Sequence, residues 1–199
     1  MLSTSLPSEM LMHRVHRALA GHLRAGDIAL DATCGNGHDT ALLAQIVGSS
    51  GQVHAFDLQQ EAIAQTRARL TVLGLLAPVR FHCADHARLS ALLPAGLPGR
   101  LRVAVFNLGY RPGSDHHIVT APATTLAALN ACTDLLSRDG AISVVAYSGH
   151  PGGAMETDAV THWSEALAPQ DWHVTWTCPQ GVRRPAPRWL WLTRQQTQT

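Results

Sequence analysis

No lysine occurs in this sequence; all fifteen basic residues are arginine. That absence excludes a phosphate-binding loop built on a lysine, and any catalysis through a lysine Schiff base. The four cysteines, Cys34, Cys83, Cys132 and Cys178, are far apart and form no CxxC pair. Neither a zinc site nor a disulfide framework is expected from them, and no metal is expected elsewhere; they read as buried free thiols. No apolar run reaches the roughly 18 residues that span a bilayer. Met1–Met10 also lacks the basic-then-apolar order of a secretory signal, so a cytoplasmic protein without a membrane partner is expected. Net charge at pH 7 is only +1, whereas a nucleic-acid binder is usually more basic. Repeats, long linkers and shifts of composition are absent too. Residues 1–199 therefore read as one domain, with 1–7 and 195–199 frayed at its ends.

What is present is an alternation of strand-like and helix-like segments. The helical spacing of Met12, Val15, Leu19 and Leu23 predicts a helix over Ser8–Arg24, with Ser8 as its N-cap. Short apolar strands are expected at Ile28–Asp31, Gln52–Asp57, Val79–Cys83, Arg102–Asn107 and Ala141–Tyr147. Helices are expected between them, at Asp39–Val47, Gln60–Leu73, His86–Leu93 and Ala123–Ser137, followed by Glu156–Ala168. Such alternation implies a mostly parallel α/β sheet with right-handed crossovers and helices on both faces. Two last strands, Trp172–Thr177 and Trp189–Thr193, have no helix between them and should pair antiparallel. The expectation is therefore a seven-stranded Rossmann-like sheet ending in an antiparallel hairpin, the class I methyltransferase variant of that fold.

In such sheets ligands bind beyond the carboxyl ends of the strands. The first strand ends at Asp31, and the turn that follows is Thr33-Cys34-Gly35-Asn36-Gly37. Its glycines permit close backbone approach, and it opens a helix whose first N–H groups are free. A dinucleotide fingerprint needs a third glycine where this chain has Thr40. S-adenosylmethionine (SAM) has no pyrophosphate and does not need that glycine. Its amino-acid end is suited by Asp31, Thr33, Gly35, Asn36, Gly37 and Asp39. Asp57, at the end of the second strand, is placed to accept both ribose hydroxyls, with Gln59 as a second contact. Asp85 and His86, after the third strand, are placed for the adenine, although Asp85 reads equally as a helix N-cap.

The fourth strand runs into Asn107-Leu108-Gly109-Tyr110, similar to the Asn/Asp-Pro-Pro-Tyr motif of amine methyltransferases. In that motif a side-chain carbonyl and the next backbone carbonyl accept from an amine and aim its lone pair at the methyl group. An aromatic ring packs over the substrate. Asn107 and Tyr110 are thus candidate catalytic residues, with Leu108, Gly109 and Arg111 against the substrate. Asp115 and His116 either help to take a proton from an ammonium substrate or order their loop. Tyr147 and His150 face the same crevice from the end of the fifth strand. The arginines Arg183, Arg184, Arg188 and Arg194 form either an RNA-facing patch or a solvated hairpin face.

Gly26-Asp27-Ile28, Asp31-Ala32-Thr33, Gly35-Asn36-Gly37-His38-Asp39-Thr40 and Phe56-Asp57-Leu58-Gln59 all belong to one familiar pattern. So do Phe106-Asn107-Leu108-Gly109-Tyr110, Pro112-Gly113-Ser114-Asp115-His116 and Tyr147-Ser148-Gly149-His150-Pro151-Gly152-Gly153, with Glu156 close behind. Over residues 8–194 the chain resembles bacterial methyltransferases once labelled rRNA methylases and associated with tRNA 5-aminomethyl-2-thiouridine methylation. The resemblance implies SAM as donor, S-adenosylhomocysteine (SAH) as product and the wobble uridine of tRNA as substrate, methylated on its aminomethyl nitrogen. It departs from the family pattern at Cys34, Arg111 and Ser114. Another RNA position, a small-molecule amine, or a non-catalytic SAM-binding domain stay open as alternatives, as does a homodimer that would combine two weakly basic surfaces.

Overall fold

In a computed structural model of the chain, residues 7–109, 120–178 and 186–195 are described. Seven strands form one sheet: β1 (Ile28–Asp31), β2 (Gln52–Asp57), β3 (Val79–Cys83), β4 (Leu101–Leu108), β5 (Leu136–Ala146), β6 (Trp172–Thr177) and β7 (Arg188–Arg194). Their order across the sheet is β3-β2-β1-β4-β5-β7-β6. All neighbours are parallel except β7, which runs antiparallel to both β5 and β6. This is the expected α/β architecture, with its C-terminal antiparallel hairpin inserted so that β7 touches β5. The chain reverses its direction of travel across the sheet between β1 and β4, which opens a crevice at their carboxyl ends.

The helices are α1 (Pro7–His22), α2 (His38–Val47), α3 (Gln60–Leu73), α4 (Leu89–Leu92, preceded by a 3₁₀ turn at His86–Arg88), α5 (Pro122–Leu135) and α6 (Gly153–Glu165). Ser8 lies inside α1 rather than at its cap; Pro7, whose missing N–H costs nothing in a first turn, precedes it. The 136–140 segment, expected partly as the end of a helix, belongs instead to β5, where Leu136 pairs with Leu101. Cross-strand pairing there outweighs local helix preference.

Strand alternation divides the interior into two cores. One face of the sheet carries Val15, Leu19 and Leu23 of α1, Leu43 and Val47 of α2, and Leu70 of α3. The other packs Leu129 and Cys132 of α5 and Val160 of α6 against Phe56, Phe106 and Ile142. On β4, Val103 and Val105 face the α1–α2 side, and Ala104, Phe106 and Leu108 the α5–α6 side. The same alternation sends Asn107 towards α1 and α2, which decides its partners.

The four cysteines are free, but only Cys34 and Cys132 are buried; Cys83 and Cys178 are exposed, a correction to the expectation that all four would be. Their strands leave them on a solvated side of an edge strand and beyond the end of β6. Arg194 lies over the Trp172 ring and Arg188 over that of Trp176, so both pack on the hairpin's own indoles. Arg183 and Arg184 lie outside the described residues.

Candidate active site

A cavity of about 800 Å³ opens at the carboxyl ends of β1, β2, β4 and β5, within the roughly 300–1,000 Å³ of small-molecule sites. Its first wall is the turn after β1. Gly35 and Gly37 have φ of 50° and 78°, in the left-handed region that glycine reaches without strain. A Cβ on Gly37 would fall 2.8 Å from the Thr66 side chain, so this residue lets the turn lie against α3. Thr66 in turn donates its hydroxyl to the Gly35 carbonyl (3.0 Å), and Arg69 Nε donates to the Asn36 carbonyl (2.7 Å). Neither support was foreseen, because both come from the middle of a helix with no motif around them.

Asp57 accepts from the Gly35 N–H and the Gln59 N–H, each at 2.9 Å. These bonds fix the carboxylate plane and leave further lone pairs for hydroxyl groups on the cavity side. Asp85 caps the following 3₁₀ turn through the Ala87 N–H (2.8 Å) and also lines the cavity. His86 is buried; its Nδ1 lies 3.3 Å from the Ala32 carbonyl, and its Nε2 has no partner among the described residues. Burial holds this imidazole below its ordinary pKa, so the neutral ring offers one acceptor to a ligand. Asp31 is fully buried behind the turn, accepting from the Thr33 N–H and from the Thr40 hydroxyl (2.6 Å). Burial first, then the neighbouring Asp39 charge, raise its pKa well above the carboxylate range. Thr40, which breaks the dinucleotide pattern, is thus the partner of the buried acid.

The second wall is the end of β4. The Asn107 N–H donates to the Thr33 hydroxyl (2.8 Å), and its side-chain Nδ2 donates to Asp39 Oδ2. The other Asp39 oxygen is bonded to His16 Nε2 of α1 at 2.6 Å. Asn107 Oδ1 is buried without a partner among the described residues, in a side chain that lines the cavity. A buried acceptor left so costs about 1–3 kcal/mol unless a ligand supplies a donor. The Leu108 carbonyl accepts from the Tyr147 N–H (3.3 Å), and Tyr147 and His150 line the cavity from beyond β5. Gly109 (φ 148°) is bound twice to Thr120, by its N–H to the hydroxyl (3.0 Å) and by its carbonyl to the amide (3.2 Å). Glu156, 2% exposed, accepts from both the Thr120 and Thr125 hydroxyls at 2.6 Å.

The structure therefore brings Thr33, Gly35, Asn36, Asp39, Asp57, Gln59, Asp85, His86, Asn107, Leu108, Gly109, Tyr147 and His150 to one cavity. Asp31 and Gly37 stand behind its wall. Tyr110, Arg111, Asp115 and His116 lie outside the described residues. Met12, His16 and Thr120 also line it; sequence reasoning missed them, since His16 reads only as a polar residue beside an apolar stripe. The set fits SAM: an Asp57 carboxylate with lone pairs open to the cavity, an imidazole nitrogen and an amide oxygen without partners among the described residues surround a glycine turn. The carboxylates of Asp57 and Asp85 give the cavity an anionic lining suited to a sulfonium and an ammonium. Among the described residues no group of three or more His, Cys, Asp or Glu is placed to hold a metal ion, and no helix is long and apolar enough to cross a membrane.

Comparison with known proteins gives a match over residues 53–193 to the family model described as "Putative rRNA methylase". Residues 3–88 also match that of "Protein-L-isoaspartate(D-aspartate) O-methyltransferase (PCMT)". The chain is 37% identical over 158 residues to a protein of Arabidopsis thaliana named "tRNA (mnm(5)s(2)U34)-methyltransferase, chloroplastic". That alignment covers 75% of the chain and 57% of the plant protein, so the chain spans little more than half of that relative. Among solved structures, one described as a "putative rRNA-methylase" from Clostridium thermocellum superposes with a TM-score of 0.88 at 34% identity, covering 92% of this chain and 96% of that one. SMU.1697c of Streptococcus mutans, a "putative methyltransferase" solved with SAH, gives 0.83 at 30% identity over 92% and 97%.

Proposed function

We propose an activity for this chain, which belongs to the family described as "Putative rRNA methylase": it is a SAM-dependent methyltransferase that methylates the aminomethyl nitrogen of a tRNA wobble uridine. The fold is that of class I SAM methyltransferases, and the cofactor reading is supported by the SAH complex of the Streptococcus relative. The tRNA reading is supported by the name of the plant relative. The observation that carries the amine reading is Asn107 Oδ1, a buried acceptor facing the cavity with no partner among the described residues.

SAM supplies an electrophilic methyl group on a sulfonium. The chain's own residues bind, orient and desolvate. Asp57 holds ribose hydroxyls through the face that Gly35 and Gln59 leave open. Asn107 Oδ1, with the second lone pair of the Leu108 carbonyl, accepts the N–H groups of the incoming amine. Two acceptors on one side of a nitrogen direct its lone pair to the other, and positioning of this kind is the larger part of catalysis for such a displacement. Only a neutral amine can attack, so the substrate must lose a proton first. Asp115 and His116 remain the candidates for that step.

The test is direct. Purified protein, SAM and tRNA carrying the unmethylated amine are incubated, and the nucleosides are read by mass spectrometry. Conversion to methylaminomethyl-thiouridine is expected. No methyl gain on that nucleoside, with methyl gain at another RNA position or on a small amine, would replace the substrate assignment. Absence of SAM and SAH binding by calorimetry would remove the cofactor as well. Asn107→Ala is expected to leave SAH affinity within about threefold while lowering kcat about 100-fold.

A further inference from the structure

His16, Asp39 and Asn107 form a chain of side chains from three elements, α1, α2 and β4, that no local motif brings together. An asparagine amide has two faces related by a flip, one presenting oxygen and the other N–H. At Asn107 the choice decides whether the cavity meets an acceptor or a donor. A carboxylate accepts only, so Asp39 can satisfy Nδ2 and would repel Oδ1. Asp39 is itself 7% exposed, and its second oxygen is occupied by His16. A carboxylate bonded at both oxygens cannot rotate away from the amide. The backbone is held independently, by Thr33 accepting the Asn107 N–H.

We propose that His16 and Asp39 are positioning residues that lock the Asn107 amide in the flip presenting Oδ1 to the cavity. Asp39 acts on the amine through Asn107 rather than by gripping the cofactor. His16 acts at one further remove, by fixing the carboxylate. The effect of this lock on rate rests on the amine-methylation reading; the lock itself does not.

The Asn107 side-chain amide is observed by ¹⁵N NMR, its signal assigned by its loss in Asn107→Asp. In the wild-type protein one amide proton is expected to exchange slowly with water. Asp39→Ala abolishes that protection, His16→Ala weakens it, and His16→Gln, whose amide can still donate to Asp39, restores most of it. Equal protection in the wild type, Asp39→Ala and His16→Ala overturns the proposal. In turnover, Asp39→Ala lowers kcat about 10- to 100-fold with SAH affinity within about threefold. Loss of SAH affinity with kcat retained overturns it too. Should Asp39→Ala fail to fold, the half-exposed His16 pair of variants decides the matter by the same readings. If wild-type protein transfers no methyl to the RNA amine, the activity reading fails alone, and the exchange measurement still decides the lock.

Discussion

The two walls of the cavity are built differently. On the β1–β3 wall, acids are held mainly by backbone amides close in sequence: Asp31 by Thr33, Asp57 by Gln59, Asp85 by Ala87, each two residues away. On the β4–β5 wall, side chains hold one another across long stretches of chain. Asn107 reaches Asp39 across 68 residues, His16 reaches Asp39 across 23, and Glu156 gathers Thr120 and Thr125 across 36 and 31. A backbone-built wall suits a constant ligand, because its N–H groups survive most side-chain changes. A side-chain-built wall can be retuned by single substitutions, which suits the partner that distinguishes one methyltransferase from another.

Four substitutions would break or sharpen this contrast. The largest effect is expected from Asp57→Ala, which orphans two amides and removes the hydroxyl acceptor; SAH affinity measured by calorimetry should fall about 100-fold. An effect below about threefold would mean that the first wall does not carry the cofactor. Next, Glu156→Ala leaves two hydroxyls without their acceptor. It should destabilise the fold by about 2–3 kcal/mol, lowering Tm by about 4–12 °C, and depress kcat while SAH affinity stays within about threefold. If SAH affinity falls as far as kcat, the walls are not separable.

Asp31→Asn is expected to act oppositely on stability and binding. The folded state holds the Asp31 proton more tightly than the unfolded chain does. Its ionisation therefore costs stability as pH rises above the ordinary carboxylate range. The asparagine should raise the Tm of ligand-free protein at pH 8 by about 2–4 °C, with little change near pH 4. It should weaken SAM binding at pH 8 about tenfold, because the negative field behind the turn is lost. A lower Tm at pH 8 would show that the Thr40 hydrogen bond outweighs the burial of charge.

The smallest effect lies outside both walls. Buried His54, bonded to His82 (3.0 Å), has its pKa lowered to about 4, by burial first and then by His82 and Arg80. The unfolded chain takes up this proton from about pH 6.5 downward while the folded one resists until about 4, so its contribution to stability is present above pH 6.5 and lost on acidification. After allowance for solvent screening this amounts to about 1 kcal/mol. His54→Phe should thus reduce the acid loss of Tm between pH 7 and pH 5 by about 2–4 °C without touching SAH affinity. An unchanged slope would mean that His54 is protonated freely in the folded state.

Four strands, β1, β2, β3 and β6, have the bounds their sequence predicts, as does α3, closed by Gly74. Each is a short apolar or alternating run or a helical period, so local pattern and tertiary demand agree. β5 is longer than expected because Leu136 pairs with Leu101 of β4, and the polar residues that follow it form an irregularity before the pairing resumes at Ala141. In the site, Gly35, Asp57, Asp85 and Asn107 were legible because each lies at or just beyond the carboxyl end of a strand, and strand ends converge in a doubly wound sheet. His16, Thr66, Arg69 and Thr120 were not, because each sits where the local pattern predicts an ordinary helix or loop residue.

By itself, then, the sequence determined the order of elements, the glycine turn, the acids at successive strand ends and the asparagine at the end of β4. Those are written in periodicity of two or 3.6 residues and in turn chemistry, which need only neighbours along the chain. Tertiary structure decided which way Asn107 faces, that Asp39 serves it together with His16, and that Asp31 stands behind the wall. Those outcomes depend on strand alternation and on helices docking from distant segments, and no short stretch of sequence contains both partners.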